Sequence, residues 1–150
     1  MIQIVEATTD HAIELAPRLR HYDCITIATL GLTAQEALVS GVVTSRDTIA
    51  ALVDGEVILM AGIGFASILS NSGHPWMAAS DRIERHPRAL AVMGRRWLAH
   101  AMSQYRQLTN MVLEEDEKAR RLLVYLGFHI LTDGPVTMGD VSFLRYEMTS

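Results

Sequence analysis

The chain has a single cysteine, Cys24, in its 150 residues, so it can build neither an intramolecular disulfide nor a multi-cysteine metal site. Among the six histidines no pair stands four apart, the spacing of a helical metal site, and no metal is expected. A run of about 20 apolar residues, the length a membrane helix needs, is also missing. The longest apolar stretch, residues 57–69, is broken by Gly62, Gly64 and Ser67. Positive charge is in short supply: 13 Lys and Arg face 17 Asp and Glu, a net −4, which gives no electrostatic ground for nucleic-acid binding. No basic region followed by an apolar one opens the chain, so no secretory signal is read there. A cytoplasmic protein with no membrane segment is the expectation.

What is present is ordinary for a globular protein. Hydrophobic residues make up 49% and charged residues 20%, enough to bury a core. No repeat, low-complexity tract or linker divides the sequence, so residues 1–150 are read as one domain.

Residues 2–5 read as an opening strand. Thr8, Thr9 and Asp10 offer N-caps to a helix carrying Ile13, Ala16 and Leu19, with Pro17 either kinking that helix or marking its start. Thr33 and Glu36 form a capping box that begins a second helix. Asp54-Gly55 joins two β-rich runs, residues 48–53 and 56–65, as a hairpin. Gly62 and Gly64 fall inside the second run with no helix following. They mark a bulge or a close backbone approach rather than a phosphate loop. After a turn at Asn71-Ser72-Gly73, residues 74–80 form a further strand, and residues 87–105 carry the period of a long amphipathic helix. Residues 110–113 read as a strand, and residues 129–132 and 141–146 as two more around a Gly/Pro loop.

The most telling segment is Asp116-Glu-Lys-Ala119-Arg-Arg-Leu122-Leu123-Val-Tyr125-Leu-Gly127-Phe128. Ala119, Leu122, Leu123 and Leu126 share one helix face, Gly127 supplies a left-handed cap, and Phe128 can pack back on the last turn. This stretch resembles the closing motif of the GNAT family of N-acetyltransferases, Asn-x-x-Ala-x-x-Leu-Tyr-x-x-x-Gly-Phe. Asp116 stands at that motif's Asn and Leu123 at its tyrosine. The order of elements resembles the whole GNAT fold: an α/β domain with a central mixed, mostly antiparallel sheet and about four flanking helices. A narrower resemblance joins Pro75-Trp76, Asp81, Glu84-Arg85-His86-Pro87, Arg95-Arg96-Trp97-Leu98, Leu108-x-Asn110-x-Val112 and Leu126-Gly127-Phe128 to the internal virion protein A family of podoviruses. It implies a phage or prophage origin, phage structural proteins as partners, and a place in the host cytoplasm or the virion.

The GNAT resemblance implies acetyl-CoA, its pyrophosphate on backbone N–H groups at the start of the long helix. That loop, residues 81–88, has no glycine, and Pro87 removes a donor. Arg82, Arg85 and Arg88, with Ala89 at the helix start and Asp116, are the cofactor-binding candidates. On charge pattern alone Arg82, Arg85, Arg88, Arg95 and Arg96 read first as a solvated face. The acidic run at residues 114–117 reads as dipole complement at a helix start.

Leucine at position 123 cannot protonate a leaving thiolate, and Tyr125 lies about 200° further round the helix. His74 is the preferred base candidate, ahead of His86, His100 and Glu56. A lone histidine beside an apolar strand is more often a packing residue. The backbone at Trp76 is placed beside the thioester; the rings of Trp76 and Trp97 read as core aromatics. Cys24 reads as a buried or inert thiol. Three functions are open: an N-acetyltransferase with an unidentified amine acceptor, a nucleotide-binding module without turnover, or a non-catalytic scaffold acting through protein contacts. Homodimerisation is expected by analogy with the family.

Overall fold

The computed structural model describes residues 1–65, 69 and 71–149; the tail of the apolar stretch at 66–68 lies outside them. The described residues form a seven-stranded sheet in the order β1-β2-β3-β4-β5-β7-β6. Its strands are β1 (Ile2–Glu6), β2 (Arg46–Val53), β3 (Glu56–Gly64), β4 (Ser72–Ala79), β5 (Gln107–Leu113), β6 (His129–Met138) and β7 (Val141–Thr149). Five α-helices accompany it: α1 (Thr9–Leu15), α2 (His21–Thr29), α3 (Ala34–Thr44), α4 (Pro87–Met102) and α5 (Glu117–Leu126). Every strand pairing is antiparallel except β4 with β5. Among the described residues no single helix is long and apolar enough to cross a membrane.

Local chemistry accounts for most of these elements. Asp54 and Gly55 both take positive φ (50° and 81°), the requirement of the tight hairpin turn between β2 and β3. Thr33 and Glu36 cap α3 reciprocally, and Thr8 does the same for α1 with His11 as its partner. Gly127, at φ 103°, ends α5, and the Phe128 N–H reaches back to the Leu123 carbonyl. Gly62 is a close-approach glycine: a Cβ there would lie 2.8 Å from Thr48 Cγ2 and 2.9 Å from the Trp76 ring.

Three expectations are corrected. Pro17 does not kink one long helix; α1 stops at Leu15, and Ala16–Arg18 form a 3-10 turn. Leu19 and Arg20 are then extended, and a separate helix α2 begins at His21. Asn71-Ser72-Gly73 is not a free turn, because Ser72 and Gly73 already pair with Gln107 and Leu108. Gly134-Pro135 is not a loop between strands but lies within β6. As an edge strand, β6 tolerates a proline and absorbs a shift of register between Leu131 and Val136.

The sheet separates two apolar layers. On one face α1 and α3 cover β1–β4 through Ala12, Leu15, Leu38, Val57, Met60 and Ala78. On the other, α4 and α5 cover the middle strands through Leu98, Leu123, Leu126, Phe128 and Tyr146, joined by Leu59, Ala61, Ile83 and Leu90. Gly73 sits where β4 meets β5, and a Cβ there would be 2.6 Å from Ile63 Cγ2 and 3.1 Å from Leu108 Cδ2. Gly73→Ala is therefore expected to lower stability by about 1–3 kcal/mol through overpacking. A urea midpoint equal to wild type would show that this junction yields instead.

Candidate functional site

β4 and β5 run parallel and share two backbone pairs, Ser72 with Gln107 and Gly73 with Leu108. Side chains carry the contact a little further. The His74 ring Nδ1 lies 2.9 Å from the Thr109 carbonyl, which makes that nitrogen the N–H donor. Asn110 Nδ2 and the Tyr146 hydroxyl donate to the Pro75 carbonyl at 2.7 and 3.2 Å. Burial pushes the Tyr146 hydroxyl well above its usual pKa, so it stays a proton donor. Past these ties the two strands part, leaving a wedge.

Strand alternation decides which backbone groups line it. Ala79 turns its N–H and C=O away from β3, since the N–H donates to Asp23 Oδ2 (3.0 Å) and the carbonyl accepts from the Arg20 N–H (2.8 Å). Two residues earlier, Met77 has the same orientation and aims its N–H and C=O into the wedge. Trp76 and Ala78 face β3 instead.

The far end of the wedge is closed by residues 19–23. Leu19 bridges to Ser80, and the Arg20 guanidinium bonds Asp116 Oδ1 at 2.9 Å, with Asp23 at 3.4 Å. Asp116 is 4% exposed and also caps α5 by accepting the Ala119 N–H. Burial is the main reason why Asp23 is pushed up to about 6. Asp116 and Asp81 add to the shift, while the Ala79 N–H and Arg20 oppose it.

Beside this closure lies a polar recess of about 320 Å³, where, among the described residues, Asp81, Glu84, Glu115, Asp116 and Glu117 face only Arg20 and Lys118 as full cations. Its field is negative. The nominated arginines do not converge on it. Arg82 joins Arg18 around Glu56, holding that carboxyl below its usual range, while Arg85 and Arg88 are exposed on the 3-10 turn Asp81–Arg85 and the first turn of α4. Ala89 lines a separate groove of about 1080 Å³ between α4 and strands β1 and β2, along with Arg96 and His100. Arg95 stacks over the Tyr125 ring at 4.6 Å.

The Trp76 ring packs against Gly41 and donates to Ser45 Oγ. Leu123 packs among Phe128 and Tyr146, while Tyr125 is exposed on the other side of α5. Cys24 is exposed rather than buried, and desolvation followed by the Asp23 charge raises its thiol pKa, keeping it protonated. Arg20, Asp23 and Met77 escaped the sequence reading. Arg20 meets Asp116 across 96 positions, and Asp23 looks like an ordinary first-turn acid, so neither gives a local signal.

Between the sheet and helices α4 and α5, next to Met77, is an apolar cavity of about 80 Å³.

The architecture is that of the GNAT acetyltransferases: a mixed sheet, mostly antiparallel, parted between two central parallel strands and flanked by helices on both faces. No protein-family model matches the chain, and no curated protein matches it. Solved structures do. It is similar to a ribosomal-protein-alanine N-acetyltransferase from Brucella melitensis (TM-score 0.72, 13% identity, 99% of both chains covered). It is also similar to a GCN5-related N-acetyltransferase from Kribbella flavida (TM-score 0.67, 18% identity, 99% of this chain and 98% of that one). A third is the aminoglycoside acetyltransferase AAC(6')-Ib in complex with coenzyme A (TM-score 0.68, 14% identity, 99% of this chain and 95% of that one). At such identities the likeness defines the fold.

Proposed function

We propose that this chain is an acyl-CoA-dependent N-acyltransferase that works in the β4–β5 wedge. The observation that carries the reading is the Met77 N–H, aimed into the wedge beside the apolar cavity. The residues present fit the thioester end of an acyl-CoA, because a fixed donor and an apolar recess adjoin there. The carboxylates of the polar recess repel a pyrophosphate, so exposed Arg85 and Arg88, near Ala89 at the start of α4, are left to hold the anionic end. When bound, acyl-CoA supplies an activated acyl carbonyl. Met77 N–H orients and polarises that carbonyl. His74 donates from Nδ1 to Thr109, which leaves the Nε2 lone pair to take the proton of the attacking amine. Tyrosine is absent at position 123, so water returns a proton to the sulfur.

A second reading is favoured by the hydrogen bonds at Ala79. Residues 19–23 already occupy the edge of β4, as in a scaffold that keeps the fold, loses the cofactor and works through protein contacts in a phage particle. Thermal unfolding separates the two. Acetyl-CoA at about 100 times its Kd stabilises by about 2.7 kcal/mol, which is expected to raise the midpoint by roughly 5–10 °C for a domain of this size. ADP serves as the competing nucleotide. No shift at millimolar acetyl-CoA supports the scaffold. With turnover established, His74→Ala is expected to slow acyl transfer by about 100-fold or more; an unchanged rate removes His74 as the base.

A further inference from the structure

The cavity beside Met77 belongs to neither the wedge backbone nor the polar recess. Its walls include Ala61, Met77, Met93, Leu122, Leu126 and Phe128. The polar atoms of the other side chains around it are already engaged: Tyr146 donates to Pro75, Trp76 to Ser45 and Trp97 to the Asp47 carbonyl. Among the described residues, a group entering it meets almost wholly apolar side chains, hydrocarbon and the thioethers of Met77 and Met93. The two amides of a pantetheine arm would be stranded there without partners, at a large desolvation penalty. An aliphatic chain would not.

Size narrows the choice. Benzene, with six carbons, occupies a dry cavity of about 150 Å³. On that scale about 80 Å³ takes about three carbons. With the carbonyl held in the wedge by Met77, three carbons beyond it make a four-carbon acyl group.

Resting on the acyltransferase reading, we propose that the cavity is an acyl-chain pocket and that the donor is a short-chain acyl-CoA, butyryl rather than acetyl. The transferred group moves as in any thioester aminolysis. The amine nitrogen forms the new C–N bond as the C–S bond breaks, and the proton lost by nitrogen is balanced by one gained at sulfur. Leucine at 123 keeps this end of the wedge apolar.

Calorimetric titration of the whole chain with CoA, acetyl-CoA, butyryl-CoA and octanoyl-CoA tests this without relying on turnover. Burying two further methylenes is expected to make butyryl-CoA bind about tenfold tighter than acetyl-CoA, and octanoyl-CoA is expected to lose that gain. Ala61→Ile fills the pocket and should abolish the chain-length preference while leaving CoA binding unchanged; Ala61→Val, a smaller intrusion, should reduce it. Xenon under pressure is expected to shift the Met77 and Met93 methyl resonances of the wild type and not those of Ala61→Ile. Equal affinities for acetyl-CoA and butyryl-CoA would overturn the pocket and leave the acyltransferase reading standing. So would a preference that survives in both variants, or methyl resonances indifferent to xenon. Binding of none of the four compounds would overturn both.

Discussion

Asp116→Ala is expected to lower stability by about 3–5 kcal/mol through its ion pair, with about 1 kcal/mol more from the lost helix cap. The side chain has two tasks on one oxygen: Oδ1 accepts from the Arg20 guanidinium at 2.9 Å and from the Ala119 N–H at 3.2 Å. Both members of the pair are out of water, Arg20 at 9% exposure and Asp116 at 4%. Truncating the acid leaves a buried guanidinium with Asp23, 3.4 Å away, as its remaining ion-pair partner among the described residues. Asp116→Asn keeps a good capping oxygen and should lose less, because only the charge disappears. Urea unfolding of the two variants, with Arg20→Met and the double variant Arg20→Met/Asp116→Asn, separates the terms. The double variant should lose less than the sum of its parts, since neither residue then leaves the other unpaired. A loss under about 1 kcal/mol for Asp116→Ala would mean that the pair behaves as a hydrated surface bridge.

Replacing Asp23 by asparagine should change how stability depends on pH. The Asp23 carboxyl is pushed up to about 6, against an ordinary value of 3.8. Its folded state therefore holds the proton more tightly than the unfolded one. Stability from this group is fully present below about pH 4 and is lost as pH rises through about 6. Two pKa units correspond to roughly 3 kcal/mol. Other carboxyls act in the opposite sense: Glu36, Glu56 and Glu84 are held low by their hydrogen-bonding partners, so acid removes their contribution. The informative quantity is thus the difference between variant and wild type. Asp23→Asn should gain about 3 kcal/mol relative to wild type between pH 4 and pH 7, because its amide oxygen can still accept the Ala79 N–H without carrying a buried charge. A difference that stays flat across that range would place the carboxylate in water.

How much of the fold is legible in the sequence depends on the range of the forces involved. The Asp54-Gly55 turn, the Thr33/Glu36 box and the Gly127 cap are legible because each is settled within four residues. The order of elements then carries the fold. Helix α2 escapes because Pro17 signals a break without specifying the element beyond it. The run through Gly134-Pro135 escapes because only its position at the sheet edge makes a proline acceptable there. The site is less legible still. Met77 acts through its backbone, so its side chain carries no sign of the role. Asp116 is marked by the α5 motif, but Arg20 and Asp23 are ordinary surface-type residues until the fold brings helix α2 and strand β4 up to the cap of α5. The arginines after Ser80 attract notice by number, yet the fold sends them to different faces.

The two shared backbone pairs between β4 and β5 make the molecule resemble a book with a short spine. One cover is the β1–β4 ladder with its helices, the other the β5–β7 ladder, and each is internally stitched by antiparallel hydrogen bonds. Tilting one cover against the other about Ser72 and Gln107 breaks no bond within either ladder. Among the described residues side chains clasp one cover to the other across the opening: His74 on Thr109, Asn110 and Tyr146 on Pro75, Arg20 on Asp116 and Lys118 on Glu84. A change in any one of these clasps is expected to alter the gape without unbinding the pages.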